Sequence, residues 1–352
     1  MIHTQTGCLK IATNTGWPSF RNVALDIQKA LKPYCDSMVF DWREVEPGGR
    51  ILLIETIRKD TLKSIRRLLP GSNIVFYGTT EGHSLLDKES LRLAEKVKVV
   101  AVSGFVKQML EEVNVHVAGV VHHGLDFDAK NRDPALLSSA GEKTRDRIVA
   151  LTVASNDPRK GLKELLEAYK SVEGEVDNSF LVLHSQPKWY SDPRDGGLHE
   201  RCCDLPSLAC ALGIKRLWLS EQYGLLTSEE LNALYSLCHI YVFPSFSEGF
   251  GLPTLEAFRF DKPVVAVDAP PFNEVVEDGK TGRLIPFVET RWFDYKGMVL
   301  FKMHVYEPDS LREAMVSLLT DRRSRESMAA EIHERKRNWS IHVLYPRLLG
   351  YF

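Results

Sequence analysis

Short apolar, β-favouring runs alternate with helical stretches in two successive series along this chain, and that alternation leaves few folds open to it. The first series holds Leu9-Lys-Ile-Ala-Thr, Met38-Val-Phe-Asp-Trp, Ile51-Leu-Leu-Ile-Glu, Ile74-Val-Phe-Tyr, a strand from Val97 and another from Val115. Between the first two runs, the turn-rich Asn14-Thr-Gly-Trp-Pro-Ser-Phe leads into a helix expected from Arg21 to Leu31. Strands that alternate with helices pair in parallel, because each helix carries the chain back across a sheet face, and both faces end up covered. Residues 129–147 are rich in Asp, Lys, Arg, Ser and Pro with little apolar periodicity, which marks a linker. A second series opens at Ile148-Val-Ala-Leu-Thr-Val and continues through Phe180-Leu-Val-Leu-His, Leu217-Trp-Leu, His239-Ile-Tyr-Val-Phe and Lys262-Pro-Val-Val-Ala-Val to Arg283-Leu-Ile-Pro. A long polar loop is expected across Pro187 to Gly197, and helices near Leu205–Leu212, Leu231–Leu237 and Phe272–Glu277. The length of 352 residues suits two domains of roughly 150 to 180 residues. The expected fold class is therefore α/β: two Rossmann-like domains, 1–140 and 145–337, facing a central cleft that is the default ligand site.

Composition excludes more than it selects. A net charge of −2 gives no argument for nucleic acid as a partner. The six cysteines, Cys8, Cys35, Cys202, Cys203, Cys210 and Cys238, contain no C-x-x-C pair, so reduced thiols are favoured over a zinc site. There is no basic-then-apolar leader and no run near the ~20 apolar residues of a membrane span, so a cytoplasmic protein is expected. Lys63, Arg66 and Arg67 sit on one side of a helix over Thr61–Leu69. A solvated face is the preferred reading of that stripe, with peripheral contact at the inner membrane surface as the alternative.

The stretch best suited to a ligand runs from Phe243 to Phe258, where Glu248 and Glu256 are separated by seven residues. It joins the end of a buried strand to the start of a helix that has Pro253 in its first turn. Gly249 and Gly251 permit close approach of the backbone, and the unpaired N–H groups of a first helical turn face any anion placed there. Glu256, expected in that first turn, and Glu248 on the loop can each accept hydrogen bonds from hydroxyls. Phosphate at one point with polyol on either side is the layout of a nucleotide sugar.

Glu248-Gly-Phe-Gly-Leu-Pro-Thr-Leu-Glu256 resembles the E-x7-E signature of retaining GT-B glycosyltransferases, the large family often numbered four. Seven flanking pieces occur in the expected order: Ala101-Val-Ser-Gly-Phe-Val-Lys, His123-Gly-Leu-Asp, Asp157-Pro-Arg-Lys-Gly, Leu225-Leu-Thr-Ser-Glu-Glu-Leu-Asn-Ala-Leu-Tyr, Phe243-Pro-Ser, Pro263-Val-Val-Ala and Asn273-Glu-Val-Val-Glu-Asp-Gly-Lys-Thr-Gly. Two glutamates at this spacing arise by chance, whereas the joint order is specific. The resemblance spans about Val97 to Pro286 closely and the first ~95 residues by layout alone.

The resemblance implies a first domain on the acceptor side and a second that binds the donor. By position, Glu256 would hold the ribose hydroxyls and Glu248 the donor sugar. The amides of Gly249, Phe250, Gly251 and Leu252 would line sugar and diphosphate, and Lys160 would meet the leaving diphosphate. The donor would be a nucleoside-diphosphate sugar such as a UDP- or GDP-hexose, with no separate cofactor and no metal, and the acceptor a hydroxyl of unknown identity. His83, in Gly78-Thr-Thr-Glu-Gly-His-Ser, is the candidate for the histidine that relatives carry near the reacting sugar. His122 and His123 are expected to shape the interdomain edge. The segment from Asn338 resembles the C-terminal helix that crosses back onto the first domain. One departure is plain: relatives have Gly-Arg where this chain has Ala154-Ser155, so the cation must come from Arg159 or activity is reduced or absent. Residues 287–306 look like an insertion, with core packing or acceptor contact as their use. A hexosyltransferase is thus the favoured reading, against an epimerase or a non-catalytic nucleotide-sugar-binding subunit.

Overall fold

In the computed structural model, which describes residues 7–185, 203–220 and 226–352, both series form parallel sheets. The first contributes β1 (Leu9–Thr13), β2 (Ser37–Asp41), β3 (Gly49–Thr56), β4 (Ser72–Thr79), β5 (Gly82–Ser84), β6 (Lys98–Ala101) and β7 (Val117–Val120). All but β5 build one sheet in the order β2-β1-β3-β4-β6-β7. Its central strands are apolar through their whole middle, Ile51–Ile54 and Ile74–Tyr77 being buried, as a strand covered on both faces requires. The second sheet, in the order β10-β9-β8-β11-β12-β13, is made of β8 (Ile148–Val153), β9 (Ser179–His184), β10 (Leu217–Ser220), β11 (Ile240–Phe243), β12 (Val264–Val267) and β13 (Gly282–Ile285). Strand order reverses between β8 and β11, which are paired neighbours. The loops that leave their carboxyl ends meet at this switch point, the place where open α/β sheets seat their ligands. Those loops are Ala154–Lys160 and Pro244–Gly251, the two stretches that carry the expected donor-binding residues. The expected polar loop 187–197 lies outside the described residues.

Three expectations are modified. The linker 129–147 contains a helix, Pro134–Lys143, capped by Asp133, whose carboxylate accepts the Leu136 N–H at 2.6 Å. Only Ala140 of that helix is buried, so it carries almost no apolar stripe to read. The basic stripe after Thr61 is engaged by the protein itself: Lys63 Nζ lies 2.9 Å from Asp87 and 3.2 Å from Glu89, Arg66 also pairs with Glu89, and Arg67 donates to the carbonyls of Val45 and Trp42. No described helix is long and apolar enough to cross a membrane. The C-terminal helix is instead a short helix, Ile341–Leu344, and a 3-10 turn, Tyr345–Tyr351, both packed on the helix Pro18–Leu31 of the first domain. There Leu125 N–H donates to Trp339 O at 2.9 Å, and Tyr345 OH to Gly124 O at 3.2 Å.

Residues 287–306 form an antiparallel arm, β14 (Glu289–Tyr295) and β15 (Val299–Val305), whose outer partner is β5 of the first domain. Val299, Leu300 and Phe301 pair with Ser84, His83 and Gly82, and Lys302 N–H donates to Glu81 O at 3.0 Å. The arm therefore adds a hydrogen-bonded strap from the second domain to the first. A Cβ at position 82 would lie 1.9 Å from Leu300 O, so only glycine lets the two backbones meet at this distance. Replacing Gly82 by alanine should detach the arm at a cost of about 1–3 kcal/mol. Hydrogen exchange at the Lys302 amide, which donates to Glu81 O, reads this directly; unchanged protection would show that the strap does not depend on that contact.

Candidate functional site

After β8 the chain turns at Asp157, whose Oδ1 accepts the Arg159 N–H at 3.1 Å and caps a single 3-10 turn, Pro158–Lys160. Gly161 follows with φ 62°, a left-handed conformation, and a Cβ there would strike Pro244 O at 2.1 Å. This close approach lays the turn against the loop that follows β11. Phe246 N–H donates to Arg159 O at 2.8 Å, so the two loops are joined backbone to backbone. Arg159 then reaches along the second loop, donating to Ser247 O at 2.8 Å and Glu248 Oε2 at 3.0 Å, while Lys160 Nζ pairs with Glu248 Oε1. From the first domain, Glu81 places a carboxylate oxygen 3.5 Å from Arg159, and the Ser247 hydroxyl donates to Glu81 O at 2.8 Å.

These groups are buried, and burial alone would neutralise them. Desolvation raises the Glu248 carboxyl, but Lys160 and Arg159 outweigh it and lower its pKa to about 2. Burial and the neighbouring Arg159 push the Lys160 ammonium down, against the pull of Glu248. Arg159 also loses hydration, yet Glu248, Glu81 and Asp157 together hold its guanidinium charged. Two cations thus face three carboxylates, and Glu248 is the acid in contact with both cations.

Arg159, Lys160, Glu248 and Gly249 are thereby brought together. Gly251, left-handed at φ 93°, precedes the helix Leu252–Arg259, and Phe250 is buried against His122, His123 and Trp339. Glu256 falls one turn further along that helix than expected, with no acid in the first turn, so the helix dipole does not account for it. Its Oε2 accepts from the buried Tyr235 hydroxyl at 2.7 Å, an anchor provided by the helix Ser228–Leu237. The structure does not bring His83 to the cluster. As part of β5 its ring stacks on Trp292, centroids 4.4 Å apart, and its Nε2 lies 2.6 Å from Glu112 Oε2. Glu81, two residues earlier, brings a carboxylate to the site, and Thr79 and Thr80 lie against Gly249. No spacing in the sequence singles Glu81 out, because the contact spans two domains.

Other supports across the cleft also went unseen. The Ser103 hydroxyl donates to Gly249 O at 2.6 Å. Glu274 of the second domain accepts the N–H groups of Gly104 and Phe105, both at 2.8 Å, at the start of the helix Gly104–Glu111 in the first. A carboxylate there satisfies free helix amides and meets the positive end of the helix dipole. His122 Nε2, 3.0 Å away, bonds the same carboxylate, and His123 is buried with its Nδ1 3.0 Å from the Tyr77 hydroxyl. Both histidines therefore stand at the edge between the domains.

Residues 137–291 match the family described as Glycosyl transferases group 1. An uncharacterized glycosyltransferase of Sulfolobus islandicus rod-shaped virus 1 is 21% identical over 283 residues, 78% of either chain. A serotype-specific mannosyltransferase, WbdA, of Escherichia coli is 37% identical over 112 residues, which are 31% of this chain and 12% of that longer protein. Among solved structures, Anabaena Alr3699/HepE in complex with UDP and glucose superposes with TM-score 0.71 at 15% identity, covering 97% of this chain and 98% of that one. WaaG, a glycosyltransferase involved in lipopolysaccharide biosynthesis, gives 0.62 at 13% identity over 97% and 98%. The chain has the GT-B fold, and residues 137–291 of it match the group 1 family model.

Burial lowers the pKa of His123 to about 3 and those of His184, His239 and His304 to about 4, from an ordinary 6.5. Between those values the unfolded chain binds more protons than the folded one, so stability rises with pH across the window and falls as the solution is acidified below about 6.5. Glu248 adds to the loss further down, from its ordinary 4.5 towards 2. Urea midpoints should therefore decline steadily from pH 6.5 to 4, with a shallower slope in His123→Gln; a flat profile would contradict the burial of these rings.

Proposed function

We propose that this GT-B glycosyltransferase moves a hexose from a nucleoside-diphosphate sugar to a hydroxyl acceptor, with retention at the anomeric carbon. The observation that carries the reading is the buried Glu248 carboxylate set between Arg159 and Lys160 at the switch point of the group 1 domain. A diphosphate placed against the amides of Gly249, Phe250, Gly251 and Leu252 competes with Glu248 for Lys160. Glu248 then turns its acceptor oxygens to the sugar hydroxyls. Glu256, held by Tyr235 through one oxygen, takes the ribose with the other. As the bond between the anomeric carbon and the diphosphate oxygen breaks, negative charge grows on the departing oxygen, and Lys160 with the adjoining helix start stabilises it. The acceptor oxygen bonds to the same face of that carbon, and its proton passes to the diphosphate. This route draws its positive charge from side chains and needs no metal.

Ser155, in the place of an arginine, is the observation that favours a non-catalytic nucleotide-sugar-binding subunit. Against it, Arg159 already lays its guanidinium on Glu248, so a second cation is present beside Lys160. UDP-glucose and GDP-mannose are the donors to try first, because similar structures are described with UDP and UDP-glucose and similar sequences as mannosyltransferases.

The true donor, at a hundred times its Kd, should stabilise the protein by about 2.7 kcal/mol, read as a shift in Tm; no shift with either nucleotide sugar, and none across a wider panel, would refute the reading. Binding without release of nucleoside diphosphate over a broad acceptor set would favour the binding subunit. Lys160→Ala should lower kcat by about 10²–10³-fold. Glu248→Gln should lose transfer yet bind the free nucleoside diphosphate at least as tightly as the parent, because the competing carboxylate charge is gone. Glu256→Ala should weaken the nucleotide itself, and calorimetry on the two variants separates these roles.

A further inference from the structure

His83 and the arm leave a feature that donor binding does not use. A groove of about 460 Å³ runs along the helix Gly104–Glu111, lined by Gly104, Lys107, Gln108, Glu111 and Glu112. One end begins beside the donor loop, since Gly104 follows Ser103, whose hydroxyl donates to Gly249 O. The other end leads through Glu112 to His83 at 2.6 Å and from His83 to the stacked ring of Trp292. Trp292 is 45% exposed although it lies in a strand of the arm that joins the two domains. Strand alternation puts Trp292, Leu300, Lys302 and His83 on one face, and the Lys302 ammonium lies 5.8 Å from the Trp292 ring centre.

We propose that this groove binds the pyranose rings of an acceptor glycan, with Trp292 as the platform on which a ring stacks and the polar side chains of the helix as partners for its hydroxyls. The proposal rests on the transferase reading given above. A pyranose presents an apolar C–H face and a rim of hydroxyls, and a half-exposed indole beside an amide and carboxylates meets both. Gln108 donates to Glu112 at 2.8 Å, and Lys107 lies 3.8 Å from Glu111, so the lining is polar with an excess of acid. Lys302 beside the Trp292 ring offsets that excess, so the site as a whole is near neutral, which suits a neutral saccharide. His83 is a positioning residue here: it fixes the indole from one side and is itself fixed by Glu112. The group 1 match ends at residue 291, inside β14, so Trp292 and the rest of the arm lie beyond it.

The test uses the full chain with maltotriose and an α-linked mannotriose as probes and glycerol as a polyol without a ring. Saturation-transfer NMR should show contact to the ring C–H protons of a trisaccharide and none to glycerol. Trp292→Ala should weaken trisaccharide binding by about tenfold, the size of one ring contact, while Trp292→Phe retains most of it. Tm and the affinity for UDP-glucose or GDP-mannose should be the same in all three proteins. Tighter binding of n-octyl maltoside than of maltotriose would assign the glycan to a lipid carrier, and equal binding to a free chain. Failure of both trisaccharides to bind the parent, or equal binding by Trp292→Ala, overturns the proposal, as does Trp292-dependent binding to anionic vesicles without trisaccharide binding. Loss of every nucleotide sugar with trisaccharide binding intact would instead sink the transferase reading alone.

Discussion

The ion-pair cluster of Glu248 with Arg159 and Lys160 is the constraint around which the second domain is arranged. Three charged side chains taken out of water are tolerable only if each finds its counterpart at contact distance. The backbone is shaped to provide this. Gly161 lets the turn after β8 touch the loop after β11, Asp157 caps the turn, and Phe246 N–H ties it to Arg159 O. On the proposed transferase reading, the carboxylate that satisfies two cations holds the place that a diphosphate would take.

The first domain is joined to this cluster at several independent points. Glu81 meets Arg159, Ser103 meets the carbonyl of Gly249, and Glu274 reaches the other way to the helix that follows Ser103. The arm adds a strand to β5, and the C-terminal turns fold back on the first helix. Most of these contacts are hydrogen bonds to backbone, and buried Phe250 adds an aromatic contact with His122, His123 and Trp339. Interfaces of this kind accommodate relative motion of the domains, which a reaction that must exclude water and then release product requires.

Much of the layout could be read from the residues. The two α/β series and the strand–loop–helix placement of the glutamates are local or periodic signals, whereas the return of the C-terminal segment is implied by the resemblance alone. The helix Pro134–Lys143 escaped because only Ala140 is buried, so its sequence lacks a stripe, and its stability comes from a cap and from packing on the helix Ser228–Leu237. Within Gly78–Ser84, sequence reasoning selected the histidine, whose chemistry is versatile. The structure instead turns Glu81 to the site and uses His83 to hold Trp292.

By itself the sequence determined the fold class and the strand–loop–helix junction that carries Glu248 and Glu256, since periodicity, turn residues and motif order are properties of neighbouring positions. Only the tertiary structure decided the partners: that Arg159 lies on Glu248, that Glu256 is anchored by Tyr235, and that an inserted arm crosses to β5 and carries an exposed indole with it. Those pairings join residues from about 20 to more than 200 positions apart, and their geometry is set by how two sheets and their crossing loops pack, which no local pattern encodes.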